Sequence, residues 1–343
     1  MFPARRGDCL LISYGDPTTP RHILVDGGFK GTYTDIRTKL ARLGQDGPLR
    51  LLVLSHVDLD HVRGLLAMLQ DPERPINFDD VWFNGFDHLQ DESIETFGAQ
   101  HGELMTTLLV QNHMPWNRAF DGRSVEVGRP NIDLGDDATV TILSPDRTAL
   151  EALVDRWVEE CRKHGLIPGV DPVEPTPSGL EPMGTIDIEA LAASPFAQDS
   201  SVTNRTTIAF LLEHSGSNLL LTGDAHPDQL VQSLKPLALL AGGRLKLDAM
   251  LVPHHGSRSN LSRSLLDIVD CKRFLFSTSG AVNQHPHDET VARIVKFSEG
   301  EPELVFNYRS RAERWEDEDL MTEFGYAVSK PTADLDGNIV VRL

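Results

Sequence analysis

The chain reads as an α/β protein built from layered sheets, and three observations predict that class. Short apolar runs of strand length alternate with segments of helical periodicity along most of the 343 residues. Clusters of His and Asp stand where several of those runs end, as in "LRLLVLSHVDLDH", "LLLTGDA" and "AMLVPHHGS". The same plan, a hairpin followed by strands and helices, occurs in both halves without a fixed-period repeat.

Taken in order, "CLLISYG" and "HILVDGG" are two strands joined by "DPTTPR", a hairpin signal. "TYTDIRTKLARLG" has a Thr/Asp start, helical spacing and a closing Gly, so it is expected to be a helix. "LRLLVL" is the next strand, "VRGLLAMLQD" a helix and "DDVWFNG" a strand. A helical pattern runs from Glu92 to about Met114, before a turn-rich β stretch ending in "TVTILSP". "RTALEALVDRWVEECRKHG" is an amphipathic helix.

The Pro, Gly and acid of residues 165–200 then predict an irregular insertion, placed here to cover the site or simply to decorate the surface. Order resumes with "TNRTTIAFLLEH" as a strand, "SNLLLTGD", the helix "HPDQLVQSL", "KLDAMLVP", "SRSLLDIVD", "RFLFSTSG" and the helix "DETVARIVKF". "ELVFNYRS", "EFGYAVSK" and "GNIVVRL" are expected to close the chain as a β meander. Residues 1–343 are read as a single domain.

Composition narrows the function. With 40% hydrophobic and 24% charged residues the chain is globular, and its three scattered cysteines suggest neither a disulfide framework nor a thiolate metal site. No secretory signal or membrane-length apolar run is visible, so a cytoplasmic protein is expected. A formal charge of -19 leaves no basic field for nucleic acid. Phosphate would have to be met by bound cations and local arginines such as Arg258 and Arg263.

The strand-end clusters carry the chemistry. His56, Asp58, Asp60 and His61 follow one strand, Asp224 a second, His254 and His255 a third. Strand ends of layered α/β folds converge on one edge, where ligand sites form. Imidazole nitrogen with carboxylate oxygen suits zinc, manganese or iron, and a carboxylate from a separate strand can bridge two ions.

"SHVDLDH" resembles the ligand signature of the metallo-β-lactamase fold hydrolases, in the variant with Asp at the third position used by the hydrolase domain of the ComEC competence family. "GDCLLISYG" with "ILVDGG", "TNRTTIAFLL", "LLLTGDA", "LVPHHGSRSN" and "NQHPHDETV" resemble its further landmarks in the same order. The resemblance implies a four-layer αββα sandwich and a stand-alone hydrolase holding two divalent ions, Zn or Mn. His56 and Asp58 would hold one ion, Asp60 and His61 the other, with Asp224 between them and one of His254 and His255 completing the second.

The histidine that the pattern expects on a strand before the bridging Asp is absent. Asn204, Thr206 and Thr207 stand there, leaving one ion short of a ligand. His285 is the candidate substrate contact or proton donor, Asp60 a catalytic ligand, Asp26 a support for the ligand loop, and Arg258 a phosphate contact.

Plainer roles stay open: a turn cap for Asp26, a buried hydrogen-bonded pair for His254 and His255, a turn residue for His285, a solvated cation for Arg258. His88, His101 and His113 are read as ordinary polar residues and His287 as a surface one. The expected activity is metal-dependent hydrolysis, of a phosphodiester or nucleic acid first, of another ester, lactone or amide second. A catalytically silent scaffold with a regulatory protein partner is the third reading.

Overall fold

The computed structural model describes residues 1–89, 103–167, 186–281 and 283–343. Two sheets form. In the first, the hairpin β1 (Leu10–Tyr14) and β2 (Arg21–Val25) is extended by β3 (Leu51–Val53) and β4 (Val81–Trp82), with β2, β3 and β4 parallel.

The second contains β5 (Ile132–Gly135), β6 (Ala138–Ser144), β7 (Ala209–His214) and β8 (Ser217–Leu221), paired antiparallel. A small parallel pair joins β9 (Leu245–Leu247) to β11 (Val269–Cys271). The second sheet continues from β8 through β10 (Ala249–Leu251), β12 (Arg273–Phe276), β13 (Glu303–Phe306) and β14 (Ala327–Ser329), all parallel. Both halves thus begin with antiparallel strands and continue with parallel ones, within the plan of hairpin, strands and helices read from the sequence.

The period-2 alternation of side chains along a strand sets the layers. Ile23 and Val25 of β2 and Leu51 and Val53 of β3 share one core with Val140, Ile142, Phe210, Leu212, Leu219, Leu221, Ala249 and Leu251 of the second sheet. Their neighbours Leu24 and Leu52 face the other way, into a core with Ile36 and Leu40 of the Lys30–Leu43 helix and Val62, Leu65 and Leu69 of the Leu59–Gln70 helix.

Leu211, Leu220, Met250, Phe274 and Phe276 likewise point outward, onto the Pro227–Leu240 and Asp288–Phe297 helices. Helix, sheet, sheet, helix is the resulting order: a four-layer αββα sandwich. Runs such as "LLVL" are apolar on both faces because both faces are covered.

Two expectations need correction. "TNRTTIAFLL" is not one strand, because Ser201 caps a short helix Val202–Arg205 through the amide of Asn204, and β7 starts at Ala209. The meander is absent as well. β13 and β14 run parallel, which requires a crossover, and the helix Glu318–Phe324, capped by Asp317, supplies it. Residues 337–343 form no strand, although Ile339 and Val341 pack on the inter-sheet core.

The insertion is only partly open to description, since 168–185 lie outside the described residues. Within 186–200, Asp187 caps a helix Ile188–Ala192 that buries Ile188 and Ala192 against the Asp288–Phe297 helix. Residues 195–200 have no regular secondary structure. Finally, residues 90–102 of the helical pattern, His101 included, also lie outside the described residues, whereas Leu104–Gln111 is helical.

Candidate metal centre

The C-terminal ends of β2, β3, β8 and β10 meet at one edge of the sandwich and deliver the polar clusters to a common point. β3 runs into Ser55 and His56. Asp58 is the N-cap of the Leu59–Gln70 helix, but its carboxylate makes no cap bond, unusual for an Asp in that position. It is left free to face the site.

His254 and His255 sit in succession at φ 50° and 54°, the left-handed region that costs a non-Gly residue about 1 kcal/mol or more. That backbone turns both rings inward. Close packing sets the approach of the ligand helix: a Cβ on Gly64 would lie 1.9 Å from the Gly27 carbonyl oxygen, so only Gly lets the helix touch the loop carrying Asp26.

Asp224 is the centre of the arrangement. Its Oδ2 lies 3.6 Å from His56 Nε2 and 3.5 Å from His254 Nε2, while Oδ1 lies 3.4 Å from His61 Nε2 and 3.7 Å from His255 Nε2. Asp58 Oδ2 is 3.9 Å from His56 Nε2, and Asp60 Oδ2 is 3.7 Å from His255 Nε2. Two poles result: His56, Asp58 and His254 on one side of Asp224, Asp60, His61 and His255 on the other.

The sequence left His254 and His255 as alternatives and one ion short of a ligand; both rings face Asp224, one toward each pole. His254 therefore stands beside His56, where the pattern wanted a strand-borne histidine.

These donors fit a cation. Tetrahedral ligands about 2.1 Å from an ion stand about 3.4 Å apart, close to most of the separations here. Several of the inward atoms, His56 Nε2, His61 Nε2, His255 Nε2 and Asp224 Oδ1, are buried and make no hydrogen bond. Such atoms are costly unless something binds them.

Burial pushes the Asp224 carboxyl up, but His254, His255 and His61 outweigh it and hold it well below the usual range. Burial lowers His254 while Asp224 and Asp199 raise it to about 9, and Asp224 and Asp26 likewise hold His61 well above its ordinary value.

Outward-facing atoms have partners too. His61 Nδ1 donates to Asp26 Oδ2 at 2.8 Å, and Asp26 also accepts from the Ser55 amide and hydroxyl at 2.7 Å. His56 Nδ1 lies 3.0 Å from that same hydroxyl oxygen. Outward Nδ1–H bonds leave Nε2 free to ligate.

Three partners escaped the sequence reading. Asp8 Oδ1 lies 3.4 Å from His255 Nδ1, and Asp8, His61, Asp224 and His255 offer donor atoms all within 4.8 Å of one another. His164 Nε2 is 3.1 Å from Asp58 Oδ1, and Asp199 backs His254. The "GDC" of the opening hairpin was a signal for Asp8; nothing local marked the other two.

The remaining candidates divide. Asn204 Nδ2 donates to Asp199 at 2.8 Å and lies 3.3 Å from His254 Nδ1. Thr207 is buried, with Oγ1 unpartnered among the described residues; the Thr206 hydroxyl donates to the Thr203 carbonyl. His285 is buried with its ring centre 5.2 Å from that of His254, and burial together with His254, His255 and His287 pulls it well below its ordinary value.

Arg258 does not reach toward the cluster, because its guanidinium pairs with Glu289 at 3.1 Å on the exposed surface. Arg263 stacks over Phe297. His287, expected at the surface, is half-buried and accepts from the Arg258 amide. His88 is buried, accepting from the Gly85 amide and bonded to the Gly122 carbonyl.

No protein-family model matches the chain, and no curated protein matches it either. Among solved structures it is similar to Zn(2+)-bound PqqB from Methylobacterium extorquens, at 12% identity and TM-score 0.40, covering 96% of this chain and 87% of that one. It is similar to the metallo-beta-lactamase fold protein YhfI from Bacillus subtilis at 11% identity and TM-score 0.42, over 99% and 98%. A third is the CmlA beta-hydroxylase E377D mutant, 12% identical with TM-score 0.38, over 94% of this chain and 52% of that one.

Likeness at that level says nothing about chemistry. The layer order, with its donors at the sheet edge, is the αββα sandwich that the resemblance of the sequence motifs implies. No described helix is long and apolar enough to cross a membrane.

Proposed function

We propose that the chain is a single-domain, cytoplasmic metal-dependent hydrolase whose preferred substrate is a phosphodiester, nucleic acid included, and whose two ions are Zn or Mn. One observation carries the reading: Asp224 turns one oxygen to His56 and His254 and the other to His61 and His255, a donor set divided for two cations. When bound, such ions ionise a water and neutralise charge on the scissile group.

The chain's own residues do the rest. Asp58, Asp60 and Asp224 make the donor set rich in oxygen, which favours harder ions and phosphate chemistry over an all-imidazole site. That is also the feature shared with the ComEC-like signature. His285, buried with its ring centre 5.2 Å from that of His254, is placed to contact substrate or to give a proton to the leaving group. With Arg258 engaged by Glu289 and a net charge of -19, attraction for phosphate falls to the cations.

The test uses purified protein. Metal content is measured, then bis(p-nitrophenyl) phosphate, plasmid DNA, RNA and lactones are offered with Mn²⁺ or Zn²⁺, before and after chelation. Phosphodiester turnover that chelation abolishes and added ion restores is expected. Turnover of lactones alone overturns the substrate class, and bound metal without any turnover favours a silent regulatory scaffold.

A further inference from the structure

The four inward-facing histidines are not held equally. The side chains of His56 and His61 are 0% exposed and that of His255 is 3%, so packing fixes those rings; that of His254 is 24% exposed. Like His255, it rides on a left-handed turn residue, but without that ring's burial. Something other than packing must aim it.

That something is a carboxylate outside every motif. Asp199 Oδ2 accepts from Asn204 Nδ2 at 2.8 Å and Asn260 Nδ2 at 3.1 Å, and lies 3.4 Å from His254 Nδ1. It also lies 3.7 Å from His226 Nε2. Asp199 Oδ1 accepts from the Ser201 amide at 2.9 Å, and the Asp199 amide donates to the Ser259 carbonyl. Asn260 Oδ1 stands 3.1 Å from the same His254 nitrogen. Two amides and the backbone thus fix the carboxylate, and both amides also stand against the His254 nitrogen that it meets.

We propose that Asp199 is a positioning residue that orients His254 toward the His56–Asp58 pole, and that it acts on that pole alone. The inference rests on the reading that the poles hold cations. It explains how the chain manages without the strand-borne histidine: Asn204, standing in that region, anchors Asp199, and Asp199 directs His254 into the vacant direction. A carboxylate behind a ligating imidazole orients the ring and raises its basicity, and losing it weakens metal binding about 10–100-fold.

Co²⁺ titration followed by visible absorption and calorimetry tests this in the full chain. The wild type is expected to take up two equivalents. Asp199→Asn weakens one of them about 10–100-fold and leaves the other unchanged. Asn204→Ala, which frees the carboxylate from one anchor but keeps it present, weakens the same equivalent by less, and keeps the question open to measurement should Asp199→Asn fold poorly.

In a His254→Ala background Asp199→Asn has no further effect on Co²⁺ affinity, because its only route to the ion is gone. Unchanged affinity in Asp199→Asn, equal weakening of both equivalents, or a loss that persists without His254 overturns the inference while sparing the hydrolase reading. A wild type that binds no Co²⁺ overturns both.

Discussion

Nδ1 of His61 donates to Oδ2 of Asp26 across 2.8 Å, linking the end of β2 to the ligand helix. Asp26 holds this position at φ 57°, and its two oxygens also take the Ser55 amide and hydroxyl. Asp26→Asn keeps the shape and loses the charge. It is expected to lower affinity for the ion at the His61 pole about 10–100-fold with little change in fold, as read by competition with a chromogenic chelator. Affinity equal to wild type would leave Asp26 as a turn cap only.

Asp224 serves both poles, whereas Asp60 serves one. Asp224→Ala is therefore expected to lose both ions and to lower phosphodiester turnover by more than about 10²-fold, beyond what losing an outer partner costs. Asp60→Ala is expected to keep one equivalent. Elemental analysis of dialysed protein separates the cases, and two equivalents retained in Asp224→Ala would end the bridging assignment.

Gly64 lies inside a helix, where Gly is ordinarily a poor choice. Here an added methyl would overlap the Gly27 carbonyl. Gly64→Ala should cost about 1–3 kcal/mol through overpacking and, by lifting the helix that carries His61, should also weaken metal binding. Denaturant midpoints and metal titration on one preparation check both halves.

His88 offers a pH test away from the centre. Burial, opposed by its bond to Gly122 and aided by Arg147, pulls its pKa down to about 4. The unfolded chain takes up this proton near pH 6.5 and the folded chain resists, so the stability contribution is complete above about 6.5 and is lost as pH falls toward 4. The loss is at most about 3 kcal/mol. His88→Gln should flatten the stability profile between pH 6.5 and 4 relative to wild type, as read by urea unfolding. Parallel profiles would show that the ring is not the source.

Much of the site was legible in local pattern. A strand that ends in "SHVDLDH" must release His56, Asp58, Asp60 and His61 within one turn, and the ends of "LLLTGD" and "AMLVP" must reach the same edge once the strands align. The two covered sheets were what the resemblance of these motifs implied, and continuous apolar runs such as "LLVL" agree with them. The pattern over residues 323–343 misled, because apolar residues spaced like strands fit equally well a helix, one parallel strand and a packed tail.

What the sequence by itself determined was the class of fold and the chemistry of the inner donors, since strand length, alternation and residue type are local properties. Tertiary structure decided the rest: that His254 and His255 part to opposite oxygens of Asp224, and that Asp8, His164 and Asp199 stand behind the ligands. It also tied Arg258 to Glu289. The reason is physical. A side chain's partner across 30 or more residues depends on backbone conformation and on which elements pack together, and neither a left-handed turn at two histidines nor the approach of a distant carboxylate is written in the residues beside them.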